Sequence, residues 1–130
     1  MDNTAINSVY ATLGGGVAYL SGSILTFTSN VLSFYNTYSS SDNGGAFYFN
    51  AHTISNTHTI TFTDPSIDTS RSQKDGGFIY GTGVGNIAIT ITEPGSGPTI
   101  QTVSTTTGNG GLFALENTGT SAVTVSGGVF

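Results

Sequence analysis

Side chains that could support catalytic or metal chemistry are few in this chain of 130 residues. It has two histidines, His52 and His58, and no cysteine. The histidines stand six residues apart around a predicted strand, with no carboxylate close by in the sequence. Zinc sites draw three or four ligands from Cys, His, Asp and Glu, and this pattern does not supply them. We therefore predict no metal site and no cofactor.

The acidic residues fall mostly in predicted turns rather than on one face. One turn gathers both signs of charge, in Asp68, Arg71, Lys74 and Asp75. General acid–base chemistry needs such groups to converge on a substrate with tuned pKa values. These charges could pair locally, but a single mixed turn is more simply a solvated segment. The sequence predicts a protein that is not an enzyme.

The charge balance excludes one large class of partners. The net charge is −5, and Arg71 and Lys74 are the only basic residues. Nucleic-acid binding requires several cations to neutralise phosphates, so it is not expected. No run of 18 apolar residues is present, so no membrane-spanning helix is predicted.

Threonine recurs at regular positions in four strand-like segments. These segments read LTFT at 25–28, ITFT at 60–63, ITIT at 89–92 and VTVS at 123–126. Apolar and hydroxyl residues alternate in all of them, which is the pattern of a half-buried strand. If the four segments stack with their first residues in register, their outward side chains form two rows, which we call the threonine files. The predicted threonines in these files are Thr26, Thr28, Thr61, Thr63, Thr90, Thr92 and Thr124.

A Gly-Gly pair precedes each threonine segment, and the pairs are 29, 32 and 34 residues apart. This spacing is typical of a repeat architecture with about 31 residues per unit. The residue before each pair is Gly14, Asn43, Asp75 or Asn109, types that tolerate a left-handed backbone. One left-handed turn is therefore predicted to recur. The apolar run after each pair predicts an outward file of Tyr19, Tyr48 and Tyr80.

The third segment of each repeat is centred on Ile6, Leu32, Ile67 and Ile100, with Phe130 at the end of the chain. Three short strands per unit, joined by polar turns, must bury their apolar faces by stacking on neighbouring units. We predict an all-β fold: a right-handed parallel β-helix of about four coils, in one domain spanning 1–130. Coils start near Gly15, Gly44, Gly76 and Gly110, with partial coils at both ends. Its predicted interior includes Ala18, Phe47, Ile79 and Phe113, with Leu20, Phe49 and Leu115 beside them.

The Gly-Gly segments resemble the repeats of bacterial polymorphic outer-membrane proteins, which pair a GGA[I/V/L] motif with FxxN. GGAF at 44–47 and FTSN at 27–30 match those motifs, whereas FTDP, ITEP and VSGG depart from FxxN. Gly-Gly repeats of large protist surface proteins are also similar. The resemblance implies a right-handed parallel β-helix, an adhesive role, and a place outside the cell or at its surface.

The repeat copies begin and end at the same point of the coil, which predicts assembly. Joining the end of one chain to the start of the next would continue the solenoid in register and generate an extracellular fibre, a homopolymer of head-to-tail copies. The predicted assembly interface consists of Ile6, Val9, Val125, Val129 and Phe130.

Two alternative functions remain open from the sequence. The chain could be part of a surface adhesin, with glycans as partners and the tyrosine file as a sugar-binding or docking strip. Alternatively, its threonine files resemble the ice-binding face of β-solenoid antifreeze proteins. For both files the sequence favours a structural role, since β-branched and aromatic residues favour strands and stabilise their neighbours.

Overall fold

The computed structural model describes residues 2–92 and 99–126, which form β-strands joined by turns. These residues make twelve strands: β1 Asp2–Asn7, β2 Tyr10–Ala11, β3 Ala18–Gly22, β4 Thr26–Ser39, β5 Phe47–Ala51, β6 Thr57–Thr63, β7 Ser66–Ser72, β8 Ile79–Gly83, β9 Asn86–Thr92, β10 Thr99–Thr105, β11 Phe113–Asn117 and β12 Ser121–Ser126. No helix in this part of the chain is long and apolar enough to cross a membrane.

All pairings between these strands are parallel, and they stack into three faces. The first face contains β3, β5, β8 and β11. The second contains the first half of β4 with β6, β9 and β12. The third contains β1 and β2, the second half of β4, β7 and β10. The predicted parallel β-helix of about four coils is confirmed.

The long strand β4 belongs to two faces because it bends around a corner. Its residues up to Asn30 pair with β6, and those from Ser33 pair with β7. Val31 at the bend has a φ of 47°, and Asp64 at the same corner one coil later has a φ of 52°. A left-handed residue therefore turns the chain from the second face to the third in both coils.

The interior is a column of apolar side chains that each coil extends by one layer. Ala18, Phe47, Ile79 and Phe113 lie in register on the first face, as predicted. The fully buried ring of Phe47 contacts the rings of Phe27, Phe34, Phe62 and Phe78, with centroids 4.9–5.6 Å apart. Burial of these rings drives the stacking, because no single coil could remove its apolar face from water.

On the second face, the register of the first coil differs by two residues from the one predicted by matching LTFT with ITFT. Phe27, rather than Leu25, lies opposite Ile60, and Ile89 and Val123 continue this column. The connection between the first and second faces sets this register. Thr26 pairs with Thr59, and these residues stand four positions after the end of β3 and eight after the end of β5.

The third face also differs from the prediction at one interior position. Phe34, which is fully buried, pairs with Ile6 and Ile67, whereas Leu32 pairs with Thr4. The predicted centre at Leu32 was therefore wrong. Past this column, three successive coils each carry one left-handed residue, with φ of 52–57° at Ser8, Asn36 and Thr69.

The turn at each Gly-Gly pair is left-handed at its first glycine. Gly15, Gly44, Gly76 and Gly110 have φ between 62° and 73°. The second glycine touches the next coil: a Cβ on Gly45 would lie 2.0 Å from the carbonyl oxygen of Gly77. The first three pairs therefore combine a left-handed glycine with a close approach to the next coil, both of which other residues would obstruct.

The residue before each pair has a different role from the one predicted. None of these four residues is left-handed. At Asn43 and Asp75 the side chain instead accepts a hydrogen bond from the following coil. The Oδ1 atom of Asn43 accepts the backbone N–H of Asp75 at 2.8 Å, and Asp75 Oδ1 accepts that of Asn109 at 2.6 Å. We call this series, with Gly14 at its first position, the turn ladder.

Candidate functional site

The two ends of the solenoid expose strand edges on all three faces. At one end these are β1 with β2, β3 and the first half of β4, and at the other they are β10, β11 and β12. Among the described strands, each of these has a neighbour on one side only. An unpaired strand edge can pair with a strand from another chain.

The interior columns become accessible to water where they reach an end. Val123 is 43% exposed, whereas Ile60 and Ile89 in the same column are 0% and 1% exposed. Leu115 and Val125 at this end, and Leu20 and Phe27 at the other, are half-buried. Both ends therefore present apolar layers that the middle coils bury.

The predicted interface residues lie at opposite ends of the described structure. Ile6 on β1 pairs with Phe34, and Val9 accepts the backbone N–H of Tyr38 at 2.9 Å. Val125 on β12 pairs with Ile91. The remaining two predicted residues, Val129 and Phe130, lie outside the described residues.

Two further end residues, Asn109 and Gly111, were missed by the sequence analysis. Asn109 is the last position of the turn ladder. A Cβ on Gly111 would meet one atom within 4 Å, the carbonyl oxygen of Val103 at 3.6 Å. The same addition at Gly77 would meet Gly111 O at 2.3 Å. Gly111 thus has room that the equivalent glycines lack, because no described coil lies beyond it.

The threonine side chains form one complete file rather than the predicted two. Thr28, Thr61, Thr90 and Thr124 lie in register on the outer side of the second face. Thr26 pairs with Thr59, so its predicted alignment with Thr61 was wrong. The second file contains threonine at only two of its four positions, because Asn30 and Ser126 lie in register with Thr63 and Thr92.

The predicted tyrosine file is in register but unequally exposed. The Tyr19 and Tyr48 rings stack with centroids 4.6 Å apart, and those of Tyr48 and Tyr80 are 5.0 Å apart. Tyr19 is 54% exposed and Tyr80 only 5%. The Tyr80 hydroxyl donates to Glu116 Oε2 at 2.7 Å. The prediction that all three rings are exposed was therefore wrong, because the ring of Tyr80 is covered.

Two tyrosine hydroxyls in this file are held in the protonated form. Burial, followed by the negative charge that Tyr19 would carry if ionised, raises the pKa of Tyr48. Burial and the hydrogen bond to Glu116 raise the pKa of Tyr80 further. Both hydroxyls therefore remain donors at any physiological pH.

The ion pair of the mixed-charge turn joins it to another coil rather than forming within the turn. Lys74 Nζ instead contacts Asp42 Oδ1 of the preceding coil at 3.3 Å. Asp75 belongs to the turn ladder, and Asp68 accepts the hydroxyl of Thr69 at 3.0 Å. This arrangement links neighbouring coils and does not gather acid and base around a common point.

The two histidines lie in different environments. His52 Nε2 is 2.9 Å from the hydroxyl of Ser21 near the surface. His58 is fully buried in the column of Ile87, and neither of its ring nitrogens has a hydrogen-bond partner in the described structure. Burial, and then the charge on His52, lowers the pKa of His58 below its ordinary value of 6.5.

Acid is therefore expected to destabilise the fold through His58. Below about pH 6.5 the unfolded chain takes up a proton that folded His58 resists, so the free energy of unfolding falls with falling pH. The slope approaches about 1.4 kcal/mol per pH unit until the folded pKa is reached. Urea unfolding between pH 5 and 7.5 measures this slope, and His58→Leu should reduce it while His52→Gln retains it. Equal slopes for wild type and His58→Leu would contradict the assignment.

No group of three or more His, Cys, Asp or Glu side chains within 2–92 and 99–126 is arranged to hold a metal ion. Comparison with known proteins adds no identification: no protein-family model, curated protein or solved structure matches the chain. Interpretation of its function therefore depends on the geometry of its ends and outer faces.

Proposed function

We propose that this chain is a structural β-solenoid that assembles head to tail, through its two open ends, into an extracellular fibre. The observation that carries the proposal is the pair of complementary ends, each with three parallel strand edges over half-exposed apolar layers. Such a contact joins different surfaces of two copies and does not close on itself, so it propagates.

The register within the molecule specifies how two copies would meet. Continuing the columns of the first face places Phe113 of one copy over Ala18 of the next, and Leu115 over Leu20. On the second face Thr124 would meet Thr28, which extends the threonine file across the junction. Four rungs at about 4.8 Å give a subunit rise of about 19 Å.

Polar groups at the ends support the same register. Asn109 Oδ1 occupies the ladder position from which Asn43 and Asp75 accept the N–H of the following coil. In the fibre it would accept the N–H of Gly14 from the next copy. The charged residues on the described edge strands are Asp2 on the third face and Glu116 on the first, so like charges do not meet.

Electron microscopy of the purified 130-residue chain tests the proposal directly. We expect unbranched filaments with a helical rise near 19 Å, four times the rung spacing of about 4.8 Å. A homogeneous monomer at all concentrations would contradict it. The resemblance to repeats of surface proteins supports an extracellular place, and export with recovery of filaments outside the cell would test that part separately.

A charge placed inside the junction is expected to abolish assembly. In the Val123→Lys monomer the ammonium can reach water at the open end, but stacking would bury it without a partner. We expect the critical concentration to rise about 100-fold or more, as a loss of about 3 kcal/mol implies. Sedimentation against concentration measures it. Ala122→Lys is the matched control, because the neighbouring side chain points outward and should leave assembly unchanged; equal effects would disprove the junction.

A further inference from the structure

We propose that a groove on the third face binds an acidic sugar chain, with Arg71 as the group that recognises its carboxylates. The groove has a volume of about 280 Å³ and lies on the outer side of the coil, away from the interior. The residues that line it include Ser8, Tyr10, Asn36, Tyr38, Arg71 and Thr106. This binding would be a property of each chain and does not depend on fibre formation.

The shape of the groove follows from the left-handed residues of the third face. Ser8 and Asn36, each with a φ of 52°, interrupt the alternation of their strands at equivalent positions. The outward side chains on one side of this interruption are Tyr10, Tyr38 and Arg71, which lie in register on successive coils. The backbone at Ser8 and Asn36 therefore forms the floor of a channel. This channel runs along the solenoid axis beside the column of Tyr10, Tyr38 and Arg71.

Aromatic surface in the groove is available to a ligand. Tyr10 is 67% exposed, and its ring lies 5.4 Å from that of Tyr38 at an angle of 54°. The apolar C–H face of a sugar ring packs on such rings, and their hydroxyls remain free to accept or donate hydrogen bonds. The hydroxyls of Ser8 and Thr106 and the amide of Asn36 add the polar groups that a polyhydroxylated ligand requires.

Among the described residues, Arg71 has no ionic partner, although the protein is acidic. The chain has seven carboxylate side chains and two basic ones, yet the ion pair found among the described residues is Lys74 with Asp42. The Arg71 side chain is exposed at the groove. A guanidinium is suited to bidentate recognition of a carboxylate, so an anionic ligand would complete its interactions.

Together, the tyrosine rings, the neutral polar groups and the guanidinium of Arg71 indicate the class of ligand. Two basic residues in the whole chain are too few to neutralise the phosphates of a nucleic acid, whereas the single guanidinium of Arg71 suits one carboxylate of a ligand. Tyrosine faces and neutral hydrogen-bonding groups favour linked sugar rings. The groove contacts residues from four successive rungs, about 14 Å along the axis, so it fits a short run of an acidic polysaccharide rather than a single sugar.

Calorimetric titration with a galacturonate tetramer tests the proposal, with the fully methyl-esterified tetramer as the uncharged probe. We expect saturable binding of the acid form and binding at least tenfold weaker for the ester. Arg71→Gln is expected to weaken binding of the acid form about 10–100-fold, the usual loss for a hydrogen bond to a charged group. Absence of saturation by about 1 mM acid tetramer would overturn the proposal.

Lys74→Gln is the matched control, because it removes the same charge from a residue outside the groove. Equal losses from Arg71→Gln and Lys74→Gln would show general charge attraction and overturn the site. The Val123→Lys variant should bind the tetramer as wild type does, since the groove lies within one chain. Failure of assembly and failure of sugar binding are therefore separate results.

Discussion

A Gly45→Ala chain is expected not to fold. The added Cβ would lie 2.0 Å from the carbonyl oxygen of Gly77 and 2.5 Å from that of Arg71. Both oxygens are backbone atoms of the next coil. Arg71 belongs to the ladder between β4 and β7, and Gly77 O accepts the buried Ser70 hydroxyl at 2.8 Å, so neither oxygen can move without separating two rungs. The free energy of unfolding of a domain is about 5–15 kcal/mol. Separating two rungs over the central phenylalanine layer would remove a large part of this free energy.

Circular dichroism and urea unfolding measure this effect. Gly22→Ala is the control with the same chemical change, since its Cβ would meet the flexible end of Leu25 at 3.2 Å and nothing closer. We expect the control to lose less than about 1 kcal/mol. A Gly45→Ala chain with the β-sheet spectrum and urea midpoint of wild type would show that the coils are less tightly stacked than described.

The sequence predicted the features that repeat locally in each coil. Alternation in segments such as Ile60–Thr63 identified strands, and the Gly-Gly spacing identified the stacking period, because both depend on neighbouring residues. The column of Ala18, Phe47, Ile79 and Phe113 follows directly, since each residue lies at a fixed distance from its own Gly-Gly pair. Fold class was therefore accessible from sequence alone.

Register on the other two faces was less accessible, because turns of unequal length separate them from the Gly-Gly pairs. Similar tetrapeptides, LTFT and ITFT, suggested that Thr26 meets Thr61, but the shorter first turn places Thr28 there. In the same way Phe34 replaces Leu32 in the interior. Matching letters cannot reveal a shift of two residues, since alternation is preserved by it.

The role of the residues at the end of the solenoid could not be predicted from the sequence for a different reason. Asn109 and Gly111 resemble Asn43 and Gly45 in sequence, and their distinct position depends on which coil lies beyond them. The turn ladder likewise joins residues 32 and 34 positions apart, so no local pattern identifies it. These contacts exist only once the coils are stacked. They are also the contacts that most strictly limit how two copies could meet at the proposed junction.

Gly111→Ala is expected to leave the chain folded and to abolish filaments. In the isolated molecule the new methyl group meets only an ordinary contact, Val103 O at 3.6 Å. In the fibre, Gly111 would take the position that Gly16, Gly45 and Gly77 hold inside the molecule, where a Cβ lies 2.0–2.4 Å from the next coil's backbone oxygen. The methyl group therefore obstructs the junction alone.

The pair of glycine variants separates assembly from folding. Gly111→Ala should keep the urea midpoint of wild-type monomer and show no filaments by microscopy or sedimentation, whereas Gly45→Ala should lose both fold and filaments. Filaments of normal rise from Gly111→Ala would exclude coil-on-coil stacking at this end, because backbone oxygens of the next copy could not then approach to the distances seen between internal coils. One methyl group thus tests whether copies of the chain meet as its own coils do.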